Sequence, residues 1–190
     1  MQLLRNFKFW QRSAFNFCRL KGNGCRLRLR GIYKGYFIQS GVTVSFPNQV
    51  TIGKGVVIQK GAAFSISPSG QLEIGADSRI GSDAVFSVGG RVTLEENVLI
   101  AARCFIGDQN HRFDESNKPI MHQGASQGDP VRIGRGSWLG INVCIMPGVV
   151  LGHNCVVAAG SVVTKTFPPL SIVAGVPAKV IGRVGSYDPT

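Results

Sequence analysis

Apolar side chains recur every sixth residue through most of this chain, and glycine often follows them directly. Ile52, Ile58 and Phe64 form one set, and Ile74, Ile80 and Phe86 the next. Leu94, Ile100 and Ile106 follow, then Ile133, Leu139 and Ile145, then Leu151, Val157 and Val163. Between Ile133 and Val163 the period does not slip once. The residue four places after each of these is usually small, as at Val56, Ala62, Ser78, Ala84, Cys104, Ser137, Val143, Cys155 and Ser161. In extended chain, residues four apart point to the same side. A large and a small side chain of each unit therefore share one interior, and glycine is expected to absorb the turns that need unusual dihedrals. Three such short strands make a triangular coil of about eighteen residues, and stacked coils bury a continuous core. An amphipathic helix is the competing reading of a six-residue period. Frequent glycine, at about 1 kcal/mol each in a helix interior, and abundant Val and Ile argue against it.

Composition agrees with an all-β chain. Of 190 residues, 25 are glycine and only 16% are charged, while 44% are apolar, enough to bury a core. Five cysteines, an odd number with no C-x-x-C pair, suggest neither a disulfide framework nor a zinc site. Cys104 and Cys155 fall on small inward positions of the repeat. A reducing, cytoplasmic setting is expected: early apolar residues are interrupted by Arg5, Lys8 and Arg12, unlike a secretory leader, and no stretch is apolar enough to span a bilayer.

The stretch I-G-R-G-S-W-L-G-I-N-V-C-I-M-P-G-V-V-L-G-H-N-C-V-V-A-A-G-S-V-V-T-K from Ile133, followed by F-P-P-L-S-I-V-A-G-V-P-A-K-V-I-G, resembles the hexapeptide-repeat acyltransferases. The resemblance runs over roughly residues 42 to 184. It implies a left-handed parallel β-helix, a homotrimer with active sites between subunits, and acetyl-CoA as co-substrate without a metal. Left-handedness comes from the resemblance alone, since general crossover handedness argues the other way. The chain then divides into a basic N-terminal segment (1–35), the β-helix domain (36–184) and a short tail (185–190).

The repeat is interrupted once. From Ile106 the next inward residue is Ile133, so a polar, turn-rich insertion of about residues 112–132 is extruded. Long loops in compact folds are usually functional. At its base stands Asp108-Gln109-Asn110-His111. In the galactoside and maltose O-acetyltransferases, which this stretch resembles, a histidine at this place is the general base, and the matching residue is His111. Imidazole suits that task because it titrates near neutrality. Asp108 either orients the imidazole or is a solvated turn residue, and Asn110 either contacts sugar hydroxyls or is a plain loop residue. His122 and His153 are read as an ordinary loop and an ordinary turn histidine. The resemblance further implies an oxyanion-binding backbone N–H near Gly140 or Ile141, and an aromatic lining at Trp138 for the acyl and pantetheine groove. For CoA it implies Ala159, Gly160, Thr164 and Lys165, with Lys179 and Arg183 near the phosphates. Gly182 stands where relatives often carry a basic residue and Arg183 follows it, so which basic residue meets the phosphates is open.

Charge is uneven along the chain. Eleven Lys and Arg precede Glu73, the first acidic residue. Residues 3–19 fit an amphipathic helix with Leu3, Leu4, Phe7, Trp10, Ala14, Phe15, Phe17 and Cys18 on one side, and Arg5, Lys8, Arg12 and Arg19 beside them. Such a helix either lies on an anionic membrane surface or packs on the domain or a neighbouring subunit. No nucleic-acid motif accompanies the charge.

Together these features point to an acetyl-CoA-dependent O-acetyltransferase acting on a sugar hydroxyl in bacterial surface polysaccharide synthesis. An N-acetyltransferase of an amino sugar or an antibiotic would share fold and co-substrate. A γ-class carbonic anhydrase needs three suitably spaced zinc-binding histidines, which His111, His122 and His153 do not supply. A non-enzymatic scaffold would not need Lys165 or the Gly175-Val176-Pro177-Ala178-Lys179 run.

Overall fold

The computed structural model describes residues 26–33 and 35–186, with only the backbone considered at 26–33. The helix expected at 3–19 lies outside the described residues. What is described is a parallel β-solenoid of about seven turns with three faces.

The first face stacks the start of Tyr36–Ser45, then Val57–Ile58, Arg79–Ile80, Leu99–Ile100, Trp138–Leu139, Val156–Val157 and Ser171–Gly175. The second stacks the end of Tyr36–Ser45, then Ala63–Ile66, Val85–Val88, Phe105–Gly107, Cys144–Ile145 and Val162–Val163. The third holds Val50–Ile52, Gln71–Ile74, Arg91–Leu94, Val131–Ile133 and Val150–Leu151. All these pairings are parallel and in register. Ile58, Ile80, Ile100, Leu139 and Val157 stack as one inward column, and Phe64, Phe86, Ile106, Ile145 and Val163 as another. Every large position of the six-residue pattern is buried except Ile52, which is half-buried at the first turn. The small positions are buried too, Cys104 and Cys155 included. Burial pushes both thiols above their ordinary pKa, which suits inert core residues. Buried Ser137 accepts the Cys155 N–H at 3.0 Å and donates to the Gly152 carbonyl at 3.1 Å, so a polar corner costs no unpaired group.

Glycine serves two purposes, and only one was expected. The left-handed turn positions carry glycine in some coils and Asn or Asp in others, such as Asn97 and Asn154 at φ 59° and 53°. The glycine directly after the large apolar residue has no positive φ. It is there because coils approach closely: a Cβ on Gly134 would stand 2.5 Å from the Gly152 carbonyl carbon, and one on Gly140 would stand 2.7 Å from the Ala159 nitrogen.

Both ends depart from the parallel pattern. Arg26–Tyr33 pairs antiparallel with Tyr36–Ser45, so the sheet begins inside the segment read as a separate N-terminal piece. At the other end Ala178–Arg183 folds back antiparallel on Ser171–Gly175. Outward side chains differ by face. The first presents Phe37, Val57, Arg79, Leu99, Trp138 and Val156, and the second Ala63, Val85, Phe105, Cys144 and Val162 with Ser65 and Ser87 beside them. The third presents Thr51, Glu73, Thr93 and Arg132. Among the described residues no helix is long and apolar enough to cross a membrane.

Candidate active site

The insertion leaves the solenoid at the corner between second and third faces, after Phe105–Gly107. Its far boundary is earlier than the sequence suggested. Val131 and Arg132 already pair with Val92 and Thr93, because the third face resumes as soon as the chain regains register. Nor is the loop structureless. The Ser126 N–H donates to the Asn110 carbonyl at 2.7 Å, the Asn110 N–H to Ser126 Oγ at 3.0 Å, and the Arg112 N–H to the Gly124 carbonyl at 2.9 Å. His111 and Ala125 face each other as an antiparallel bridge within this two-armed stalk. Buried Gln123 ties the outer part, donating to the Glu115 and Lys118 carbonyls at 2.8 and 2.7 Å and accepting the Glu115 N–H at 3.0 Å. Backbone bonds thus hold the position of His111 while its side chain stays exposed. Asn110 is likewise exposed.

Asp108 has a different place. It is fully buried, and its two carboxylate oxygens accept the Gly89 and Gly90 N–H groups at 2.7 and 2.8 Å. Its own carbonyl accepts the Asp129 N–H at 2.6 Å, drawing the two feet of the loop together. Asp108 therefore anchors the loop to the coil below and is not a solvated turn residue. The clue in the sequence was the Gly89-Gly90 pair, which lets backbone N–H groups approach one carboxylate. His122 lies exposed in a short 3-10 turn (Ile120–His122), and His153 is half-buried in a corner turn. No group of three or more His, Cys, Asp or Glu among the described residues is placed to hold a metal ion.

The co-substrate candidates sit elsewhere. Trp138 is 48% exposed on the first face, flanked in register by Leu99 and Val156. Ile141 and Ala159 occupy the corner between first and second faces, one coil apart, with the Gly160 N–H donating to the Ile141 carbonyl at 2.8 Å. Gly140 donates its N–H to the Val157 carbonyl at 2.8 Å, so that donor is spent on the ladder. Of the two oxyanion candidates only Ile141 is left, on a turn that faces outward. Thr164 and Lys165 are exposed just past the second face, on the corner from which the loop leaves two coils below. Lys179 and Arg183 are exposed on the terminal hairpin.

Within one chain, then, His111 stands at one edge of the second face, and Trp138, Ile141, Ala159 and Gly160 stand at or beyond the other. At about 3.3 Å per residue, the strand and its flanking turns hold these edges well over 10 Å apart.

A family model described as the hexapeptide repeat of succinyl-transferase matches residues 130–165, the uninterrupted part of the repeat. Over these residues the chain carries the hexapeptide repeat of that family. Among its relatives, galactoside O-acetyltransferase of Escherichia coli is 39% identical over 101 residues, covering 51% of this chain and 46% of that protein. A putative lipopolysaccharide biosynthesis O-acetyl transferase, WbbJ, of the same organism is 37% identical over 98 residues, 48% of this chain and 50% of that one. The chain spans half or less of the length of these curated relatives. In structure it is similar to a hexapeptide-repeat acetyltransferase of Vibrio cholerae solved with acetyl-CoA, with TM-score 0.55, 26% identity, and 71% of this chain and 68% of that one covered. The likeness includes the coil stack that this hexapeptide-repeat chain builds from its six-residue period.

Proposed function

We propose that this protein is an acetyl-CoA-dependent O-acetyltransferase that acetylates a sugar hydroxyl during synthesis of a bacterial surface polysaccharide. The observation that carries the reading is the placement of His111. It is an exposed imidazole held by backbone bonds on a stalk that projects from a rigid solenoid. The similar proteins named for O-acetyl transfer to galactosides and for lipopolysaccharide synthesis supply the acceptor class.

His111 Nε2 or Nδ1 takes the proton of the acceptor hydroxyl as its oxygen attacks the thioester carbonyl carbon of acetyl-CoA. The tetrahedral oxyanion is met by a backbone N–H, for which Ile141 is the candidate. Collapse breaks the C–S bond, the proton passes to the departing CoA sulfur, and the ester and free CoA leave. No acyl-enzyme forms, in keeping with the buried Cys104 and Cys155. Trp138 lines the pantetheine path, the turns at Ala159 and Gly160 let the arm approach the backbone, and Thr164, Lys165, Lys179 and Arg183 meet polar and phosphate groups. Asn110 is the remaining loop contact for the acceptor.

The working unit in this reading is a homotrimer. The first and second faces are mainly apolar outside, Arg79 apart, and the third is mainly polar, which supports the first face of one copy meeting the second face of the next. Such a head-to-tail interface closes after three copies when the faces meet near 60°. The protein works at the cytoplasmic side, where acetyl-CoA is available.

The test is to supply acetyl-CoA with matched sugar acceptors bearing either a free hydroxyl or a free amine, and to follow CoA release. Ester formation is expected. Amide formation instead would make the protein an N-acetyltransferase, and no CoA release with any acceptor would overturn the enzymatic reading. Sedimentation of a stable, active monomer would overturn the trimer.

A further inference from the structure

We infer that the N-terminal end of the solenoid axis is a docking surface for an anionic lipid bilayer. The argument begins from a property of stacked coils: position along the chain becomes height along the axis. In an ordinary globular fold a basic stretch can be interleaved with acidic segments from elsewhere. Here it cannot be. Arg26–Tyr33 is the terminal strand of the large sheet, paired to Tyr36–Ser45. It carries Arg26, Arg28 and Arg30 in its sequence. Lys54 follows at the corner leading into the second coil, and Lys60 at the next corner; both are exposed.

No acidic residue occurs below this level, because none precedes Glu73. The nearest carboxylates along the axis stand one coil further up: Glu73 beside Thr51, and Asp77 and Asp83, whose N–H groups donate to the Lys54 and Lys60 carbonyls. None of the ion pairs among the described residues includes Lys54 or Lys60. The remainder of the chain, from Glu73 on, has ten basic and ten acidic residues. Among the described residues, those before Glu73 therefore include five basic residues and no acidic one.

The partner follows from what accompanies the charge. The sequence before this end interleaves Arg5, Lys8, Arg12 and Arg19 with Phe7, Phe9, Trp10, Phe15 and Phe17. A bilayer interface accepts cations and aromatic side chains together, through anionic headgroups and the acyl boundary. A phosphate backbone in water rewards the cations but offers nothing to the aromatic residues between them. The end-on orientation also leaves the faces free. Because the loop bearing His111 belongs to the fourth coil, it would lie about three coil heights, near 15 Å, above the docked end. The inference does not rest on the proposed transfer activity, since its readout is binding.

The experiment is flotation of the full chain with vesicles of phosphatidylglycerol and phosphatidylcholine, against vesicles of phosphatidylcholine alone. Binding to the anionic vesicles at physiological salt is expected, weakening as salt rises. A Lys54→Gln/Lys60→Gln double variant, checked for an unchanged melting transition, is expected to lose roughly fivefold in partitioning per charge removed. Equal partitioning onto neutral vesicles, no binding to either, or full binding by the double variant would overturn the inference. So would release of the protein from anionic vesicles by an equal charge concentration of duplex DNA, which would assign the surface to nucleic acid.

Discussion

Asp108 accepts the Gly89 N–H at 2.7 Å from inside the solenoid, and with its second oxygen on Gly90 it fixes where the long loop leaves the coil. Removing that acceptor leaves two half-buried N–H groups without their partner. Asp108→Ala is expected to cost about 1–3 kcal/mol of stability for each group left unpaired. Asp108→Asn, which keeps one acceptor oxygen, should cost less. Chemical denaturation of both variants measures the difference. The loop should also become more open to proteolysis in the alanine variant, because its two feet are no longer drawn together.

His111 contributes its backbone to the stalk and its side chain to solvent. His111→Ala should therefore melt like the parent protein while kcat falls roughly 10²–10⁴-fold, the usual worth of a general base. His122→Ala is the control and should change kcat little, since its side chain projects from the outer turn of the loop. Initial rates with a saturating acceptor decide between them. Retention of more than about a tenth of kcat by His111→Ala would remove it from the mechanism.

Lys165 is exposed on the same corner as the loop and enters none of the ion pairs among the described residues. Lys165→Ala is expected to raise KM for acetyl-CoA with little change in kcat, the pattern of lost uniform binding. Steady-state kinetics at varied acetyl-CoA checks it, and an unchanged KM would exclude the contact.

Gly134 and Asn97 test the two reasons for small or flexible residues at the corners. Gly134→Ala forces a Cβ against the Gly152 backbone and is expected to destabilise by about 1–3 kcal/mol, the range for overpacking. Asn97→Gly should be close to neutral, because φ 59° is a conformation glycine adopts freely. Paired thermal melts distinguish a steric from a dihedral requirement.

Glu95 predicts an acid-sensitive step. The Arg135 N–H donates to its carboxylate at 2.7 Å, and this bond, with the Arg132 guanidinium beside it, holds Glu95 below the usual carboxylate pKa. A carboxyl whose folded pKa is depressed stabilises the protein above its unfolded pKa, and that contribution is lost as pH falls through the folded value. Stability should therefore drop on acidification below the ordinary carboxylate range, and Glu95→Gln should show a shallower drop. Denaturation midpoints between neutral and strongly acidic pH measure both slopes.

The six-residue period determined the coil by itself. Ile58, Ile80 and Ile100 had to share an interior with Ala62, Ala84 and Cys104, because strand alternation allows no other side for them. The loop and its basal histidine were legible for the same reason, as the one place where the lattice breaks. Tertiary structure decided what depends on pairing between residues about twenty apart. It made Asp108 an anchor through Gly89 and Gly90, it spent the Gly140 N–H on Val157, and it turned Gly134 from a turn residue into a spacer between coils. It also set His111 and Ile141 at opposite edges of one face. Such relations arise from coil-to-coil register and close approach, and a local pattern of apolar and polar residues carries no record of either.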